Sequence, residues 1–332
     1  MARRAGVSPA AVSFAVNDRP GVGEQTRARI LRAAEELGWR PSAHARALTE
    51  ARARAVGLVL AREHEQLEAD AFFVRFLSGL ERTLAPRDHA LLLQLVPTER
   101  GVDAHAYERL AASGRVDGFI LTDVQVEDPR FAALEAAGLP ALVAGHPGAG
   151  CPFPWVETEH GHGMATAARH LAELGHERIG FFGGPPDLDY VRVRLERWLA
   201  TLVAAGREPG TVVCVEPAEP VADAATRVLA DGATAVACTS DVLALGLVAA
   251  ARALGRRVPE DLSVMGFDDS ALAALAAPSL TSVRVDYAEF GAAAAAALLA
   301  LIDGEDPTPA RLAEPELVVR ASTAPPGVAA RR

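Results

Sequence analysis

From Ala55 onward the chain alternates between two textures, and no other feature limits its fold as much. Mainly apolar runs at 56–60, 90–96, 118–121, 141–144, 178–182, 211–215, 235–238 and 262–267 read as strands. Between them lie segments with helical patterning, at 72–84, 104–112, 129–137, 163–174, 191–205, 222–229, 241–254 and 287–302. Strands this apolar, without alternation, are buried on both faces, so the pattern predicts parallel sheets with helices on either side. The strands are many for one sheet. The Pro- and Gly-rich stretch 145–154, near the middle, is expected to carry the chain from one lobe to a second. Such sheets bind ligands at the carboxyl ends of their strands, so two facing lobes would form a cleft.

The first 54 residues have a different character. Ser8 is a good helix N-cap, and Pro9 follows at the first helical position, where its missing N–H costs nothing. Val12, Ala15 and Val16 give a short helix one apolar face, and Asn17 suits its C-terminal cap. Ahead of it, residues 2–5 make barely one turn, closed by Gly6. Two short helices joined by a tight glycine turn form a helix-turn-helix, whose second helix can enter a DNA major groove. A third helix is expected over 24–37, with Ile30, Leu31, Ala34 and Leu37 as its apolar stripe and Gly38 as its stop. Ser42 can cap a further short helix over 43–48.

Charge separates the same two regions. The net charge of −10 would by itself argue against a nucleic-acid partner. Residues 1–54, however, hold ten arginines and five acids, which leaves the remainder at −15. A basic head on an acidic body can touch phosphates with one end only. A solvated arginine-rich surface accounts for the charge alone equally well. Three widely spaced cysteines, Cys151, Cys214 and Cys238, argue against a disulfide framework and against zinc. No apolar run approaches the roughly 18 residues of a membrane span. The N-terminus lacks the apolar core of a secretory signal, which points to a cytoplasmic protein. His160-Gly-His162 supplies only two metal ligands, too few for a site, and no cofactor motif is present. Gly-x-Ser-x-Gly, P-loop and Gly-x-Gly-x-x-Gly patterns are lacking, which removes the usual supports for an α/β enzyme.

Several segments, in order, resemble LacI/GalR-type transcriptional regulators. They are Val7-Ser-Pro-Ala-Ala-Val-Ser with Asn17, Thr26-Arg-Ala-Arg-Ile, and Glu36-Leu-Gly-Trp-Arg-Pro-Ser-Ala-His-Ala-Arg-Ala-Leu in the head. In the body they are Ala55-Val-Gly-Leu-Val-Leu, Val116-Asp-Gly-Phe-Ile-Leu, His170-Leu-Ala-Glu-Leu-Gly-His-Glu-Arg-Ile-Gly-Phe, Val258-Pro-Glu-Asp-Leu-Ser-Val-Met-Gly-Phe-Asp-Asp, Pro278-Ser-Leu-Thr-Ser-Val and Pro315-Glu-Leu-Val-Val-Arg-Ala-Ser-Thr. The resemblance implies an all-α helix-turn-helix head (1–41), a hinge helix and linker (42–54), a two-lobed α/β body like a periplasmic binding protein (55–323) and a mobile tail (324–332). It implies three crossovers near 145–157, 281–287 and 312–316. Lobe one would take about 55–150 plus 286–311, and lobe two about 156–281 plus 314–323. A homodimer on a pseudo-palindromic DNA operator, answering to a small effector, most often a sugar, is the implied function.

The resemblance also implies residue roles. Pro9, Ala10 and Phe14 would face base edges, where Pro9 and Ala10 offer only apolar contacts such as that to a thymine methyl. Phe14 stands where members often carry a polar reader; its alternative is to pack inside the head. Ser8, Ser13, Asn17, Thr26 and Arg46 suit phosphate contacts, which position without specifying. Leu48 falls where the hinge helix carries an apolar wedge that unstacks a base step in the minor groove. In the cleft, Arg194 and Asp268 match the family's ligand-clamping pair, good chemistry for vicinal hydroxyls. Ser240 and Asp241 match an Asn-Asp turn, and Tyr287, Phe72 and Phe73 are candidate apolar walls. Asp187 and Asp189 suggest a loop at the cleft mouth. Members usually carry several residues before the position of Met1. The resemblance therefore implies that a chain extended upstream binds operator more tightly than one starting at Met1. The logic is expected to be inducer release from a repressed carbohydrate operon. A purine-like corepressor is the alternative, and a solute-binding protein or an α/β enzyme are the readings outside the family.

Overall fold

The computed structural model describes residues 1–16, 20–38, 52–62, 71–98, 102–216, 219–230 and 232–327. They form two compact units, Met1–Ala53 and Arg54–Arg332.

In the first unit, α1 (Ala2–Ala5) ends at Gly6, whose φ of 62° is the left-handed cap that glycine adopts without a Cβ penalty. Helix α2 (Pro9–Val16) starts on Ser8, whose Oγ accepts from the Ala11 N–H at 3.2 Å. Helix α3 (Glu24–Glu36) completes the head. Ala5, Ala15, Ile30 and Ala33 are its core, with Val12 and Val16 packed against them. The stripe expected on the third helix is corrected. Ile30 and Ala34 are buried, but Leu31 and Leu37 are 50% and 52% exposed, and Ala33 takes the inner position instead. A helix turns about 100° per residue, so Leu31 faces away once Ile30 faces in, and Leu37 lies one residue past the end of the helix at Glu36. The helix expected over 43–48 lies outside the described residues.

In the second unit the strands are β1 (Ala55–Ala61), β2 (Ala90–Val96), β3 (Gly118–Leu121), β4 (Ala141–Ala144), β5 (Trp155–Glu157), β6 (Arg178–Gly183), β7 (Glu208–Cys214), β8 (Ala235–Cys238), β9 (Ser263–Asp268), β10 (Thr281–Arg284), β11 (Ala310–Arg311) and β12 (Glu316–Val318). Among the described residues they make two six-stranded sheets, ordered β11-β5-β4-β3-β1-β2 and β12-β10-β9-β8-β6-β7. All neighbours run parallel except β12 against β10. The helices are α4 (Ala71–Leu84), α5 (Val102–Ala112), α6 (Arg130–Ala137), α7 (His160–Glu173), α8 (Asp189–Ala204), α9 (Val221–Leu229), α10 (Asp241–Ala253), α11 (Ala271–Leu275) and α12 (Tyr287–Ile302). No described helix is long and apolar enough to cross a membrane.

The chain passes between the sheets after β5, after β10 and after β11. The expectation that 145–154 carries the first passage is therefore corrected. That stretch joins β4 to β5, neighbours in the same sheet, and the passage follows at Thr158–Glu159. The Pro and Gly content marks a loop within lobe one, whose returning strand β5 is only three residues long and gave no apolar run to detect.

His176, just before β6, ties the second sheet together. Thr234 Oγ1 lies 2.8 Å from its Nδ1, and its Nε2 lies 3.1 Å from Ser263 Oγ and 3.0 Å from the Ala324 carbonyl. Burial of the ring outweighs the carbonyl bond and depresses its pKa to about 4. An unfolded histidine binds its proton near pH 6.5, so between about 6.5 and 4 the unfolded chain holds more protons and stability falls as pH falls. The expected loss across that window is on the order of 3 kcal/mol. Urea denaturation at pH 7, 5.5 and 4.5 should show it, and His176→Asn, weaker at neutral pH, should flatten the dependence. An equally steep dependence in the variant would refute the assignment.

Candidate functional site

Two places in the chain gather chemistry. The first is the outer side of α2. Pro9, Ala10, Ser13 and Phe14 are exposed there, while Ala15 on the opposite side is buried. Phe14 is 40% exposed, so it does not pack inside the head, and its ring lies over Gly21. Ser8 is exposed at the start of the helix, and Thr26 is half-buried on α3. Asn17, Arg46 and Leu48 lie outside the described residues.

The second place is the cleft between the two sheets, reached by residues that follow carboxyl strand ends. Arg62 follows β1, Asp123 follows β3, His146 follows β4, Thr239 and Ser240 follow β8, and Asp268 ends β9. They surround a cavity of about 80 Å³, closed by Phe72, Tyr190, Arg194, Tyr287 and Phe290.

Arg194, on the inner face of α8, is buried. Its Nη1 donates to the Thr239 carbonyl at 2.5 Å and its Nη2 to His160 Nδ1 at 3.0 Å. The guanidinium lies 3.7 Å over the Phe267 ring and 5.0 Å from that of Tyr190, a stacked cation–π arrangement. Its Nε has no partner among the described residues. Burial, with the Arg194 charge adding to it, drives His160 well below its usual pKa, so its ring is neutral and Nδ1 is free of a proton to accept. Its Nε2 lies 2.8 Å from Thr158 Oγ1.

Asp268 faces Arg194 from the end of β9. Its φ is 110° and that of Asp269 is 49°, conformations that cost free energy in residues with a Cβ. Four groups hold this turn. Tyr287 donates its hydroxyl to Asp268 Oδ1 at 2.7 Å. Arg75 donates to the carbonyls of Asp268 and Asp269 at 3.2 and 2.9 Å. Arg284, at 2.7 Å, and Arg320 grip the Asp269 carboxylate. Tyr287 and Arg75 belong to lobe one, so the strained turn of lobe two is fastened across the cleft.

Further bonds close the lobes on each other. The Val126 N–H donates to the Asp187 carbonyl at 2.9 Å and the Asp189 N–H to the Val124 carbonyl at 2.8 Å. His146 forms an ion pair with Asp189, which raises the histidine above its ordinary pKa. Burial alone would raise Asp189, but the bonds from His146 and Arg192 outweigh it and hold the carboxylate below its usual range.

Two expectations are corrected here, those for Phe73 and Asp241. Phe73 is fully buried and lines no part of the cavity, whereas Phe72 beside it does; successive helix residues point about 100° apart. Asp241 lies behind the cavity wall. Its carboxylate accepts from the Ser270 N–H and the Ser282 hydroxyl, both at 2.6 Å, and so joins α10 to the ends of β9 and β10. Ser240 does line the cavity, while its Oγ caps α10 by accepting from the Leu243 N–H at 3.3 Å. His160 and His162 diverge: His160 faces Arg194, a cation, and His162 pairs with Glu314 at 3.3 Å. Arg62, Asp123, His146 and Tyr190 escaped the reading of the sequence. Three of them stand within two residues of the end of a predicted strand, and that position was the available signal.

Residues 1–42 match the family of bacterial regulatory proteins named for lacI, and residues 168–323 match a periplasmic binding protein-like domain. The HTH-type transcriptional regulator CelR of Thermobifida fusca is 34% identical, over 97% of this chain and 96% of its own. The structure of a CelR–cellobiose complex superposes with a TM-score of 0.75 at 31% identity, covering 97% of this chain and 98% of that one. A lac repressor dimer bound to operator and an anti-inducer gives 0.82 at 26% identity, with 97% of each chain covered. With a helix-turn-helix head, a two-sheet binding-protein body and full-length relatives that are regulators rather than enzymes, the chain belongs to the LacI family of DNA-binding transcriptional regulators.

Proposed function

We propose that this protein represses a carbohydrate-utilisation operon and that a small sugar-type effector in the cleft releases it from DNA. The observation that carries the reading is the pairing of Arg194 and Asp268 across one cavity, beside the rings of Phe72 and Tyr190. Vicinal hydroxyls accept from a guanidinium and donate to a carboxylate, and aromatic rings cover the apolar faces of a pyranose. The cellobiose complex of a relative supports the same chemistry.

On DNA, two copies would place α2 in successive major grooves of a pseudo-palindromic operator. Pro9, Ala10 and Phe14 would meet thymine methyls, and Ser8, Ser13 and Thr26, with Asn17 and Arg46, would meet phosphates. Leu48 of each copy would wedge into the minor groove. Such a regulator works in the cytoplasm, where its operator is. Release requires the effector to favour the state with poor DNA affinity. A coupling of about 1–3 kcal/mol corresponds to roughly 5–150-fold.

Fluorescence anisotropy with DNA from upstream of the gene tests the reading. A sugar should weaken operator binding by at least about fivefold at fixed salt. Tightening of the complex by a purine, with no response to sugars, would overturn it in favour of corepression.

A further inference from the structure

Beside the cavity around Arg194 lies a second chamber of about 320 Å³. Arg62, Asp123, Tyr190, Thr239, Ser240 and Asp268 line both, so the two adjoin. A water occupies about 10–15 Å³ of such space, so 80 Å³ accepts roughly five to eight waters, about the bulk of one pyranose. The second chamber is roughly four times larger, and nothing in a single ring would fill it.

Its wall is built for a neutral polar guest. Thr122 is buried there, and its hydroxyl has no partner among the described residues. Each cation on the wall is already engaged. Arg62 pairs with Asp123 at 2.8 Å, and Arg130 pairs with Asp128 at 2.6 Å. Asp187 and Glu216 also line the chamber, and among the described residues neither carboxylate is in an ion pair. An anionic group seated in this second chamber would therefore meet uncompensated negative charge, a like-charge contact that rejects it there.

We infer that the effector is an unphosphorylated oligosaccharide of at least two rings, one between Arg194 and Asp268 and the next in the chamber lined by Tyr190 and Thr122. The inference rests on the sugar reading of the cleft and goes beyond it by setting chain length and charge.

The test is calorimetric titration of the full chain with glucose, galactose, xylose, cellobiose, maltose, lactose, glucose 6-phosphate and glucose 1-phosphate. At least one disaccharide should bind tenfold or more tighter than any monosaccharide, and neither phosphate should bind more tightly than glucose. Val242 lines the second chamber and not the first, and it is partly exposed at the start of α10. Val242→Trp should weaken the disaccharide at least tenfold and change monosaccharide binding less than twofold. Thr122→Val, nearly isosteric, should weaken the disaccharide about fivefold and serves if the tryptophan variant does not fold. A monosaccharide or sugar phosphate that binds as tightly as any disaccharide would overturn the inference and leave the sugar reading intact. So would a disaccharide indifferent to both substitutions. Absence of binding by every sugar, with a cooperative melt retained, would overturn the sugar reading and this inference with it.

Discussion

Arg194→Ala is expected to lose the effector response while keeping operator binding within about twofold. Hydrogen bonds to a charged group contribute about 1.5–3 kcal/mol each, so one lost contact to the ligand weakens binding by roughly 10–150-fold. The effect should reach the upper end for two reasons. The side chain is buried, so no water replaces the guanidinium without rearrangement, and its removal also frees the Thr239 carbonyl and His160 from their donor. Arg194→Lys keeps the charge but not the planar fork that stacks on Phe267, and it should fall between the two. Calorimetry with the best-binding sugar measures the first effect, and anisotropy on operator DNA measures the second. Unaltered sugar affinity in Arg194→Ala would remove this arginine from the site. A matching loss of DNA binding would point to general damage rather than to a ligand contact.

Gly79→Val should be the most destabilising single change among those considered. Helices α4 and α12 meet at two glycines. A Cβ on Gly79 would overlap the carbonyl oxygen of Ala288, and one on Gly291 would overlap that of Phe76. The obstacle in both cases is backbone, which cannot rotate aside. Overpacking a core commonly costs about 1–3 kcal/mol and exceeds that where nothing yields, so about 3 kcal/mol or more is expected. For a body of this size that lowers Tm by roughly 6 °C or more. Gly246→Ala is the control: the nearest atom to its added Cβ is a Val221 side-chain methyl, which can move, and its helix gains in propensity. The consequence reaches the cleft, because α4 carries Phe72 while α12 carries Tyr287 and Phe290. Phe72 stands 4.9 Å from the Tyr287 ring, and Phe76 stands 5.3 Å from that of Phe290. Prising the helices apart should therefore weaken sugar binding too. Equal melting temperatures for Gly79→Val and Gly246→Ala would show that the close approach is dispensable.

Long periodic segments were legible without coordinates. The helix over 287–302 and the strands over 90–96, 118–121, 141–144 and 235–238 have the bounds that their patterning implies. What escaped was short or polar. Strands β5, β11 and β12 have two or three residues each, and β10 reads Thr-Ser-Val-Arg; pairing with neighbours already in place creates them, and no local pattern does. The cleft divides in the same way. Arg194 and Asp268 were identifiable from motif and strand end. The inward choice between Phe72 and Phe73, and the outward turn of Asp241, depend on helix rotation of a fraction of a turn. Arg75 could not be found at all, because its role is to bond two backbone carbonyls nearly 200 residues away.

The three passages between the sheets bear on how the protein is made. Helix α4 is synthesised early, and its face bearing Phe72, Phe76 and Leu80 is covered by α12. That cover leaves the ribosome only after β5 to β10 have been laid down, about 200 residues later, which at ordinary elongation speeds takes roughly 10–40 s. During that interval the nascent first lobe displays an unroofed aromatic surface, the kind of exposure that favours aggregation. Messages truncated anywhere before codon 287 would leave both lobes unfinished. The body is thus all or nothing at the level of translation.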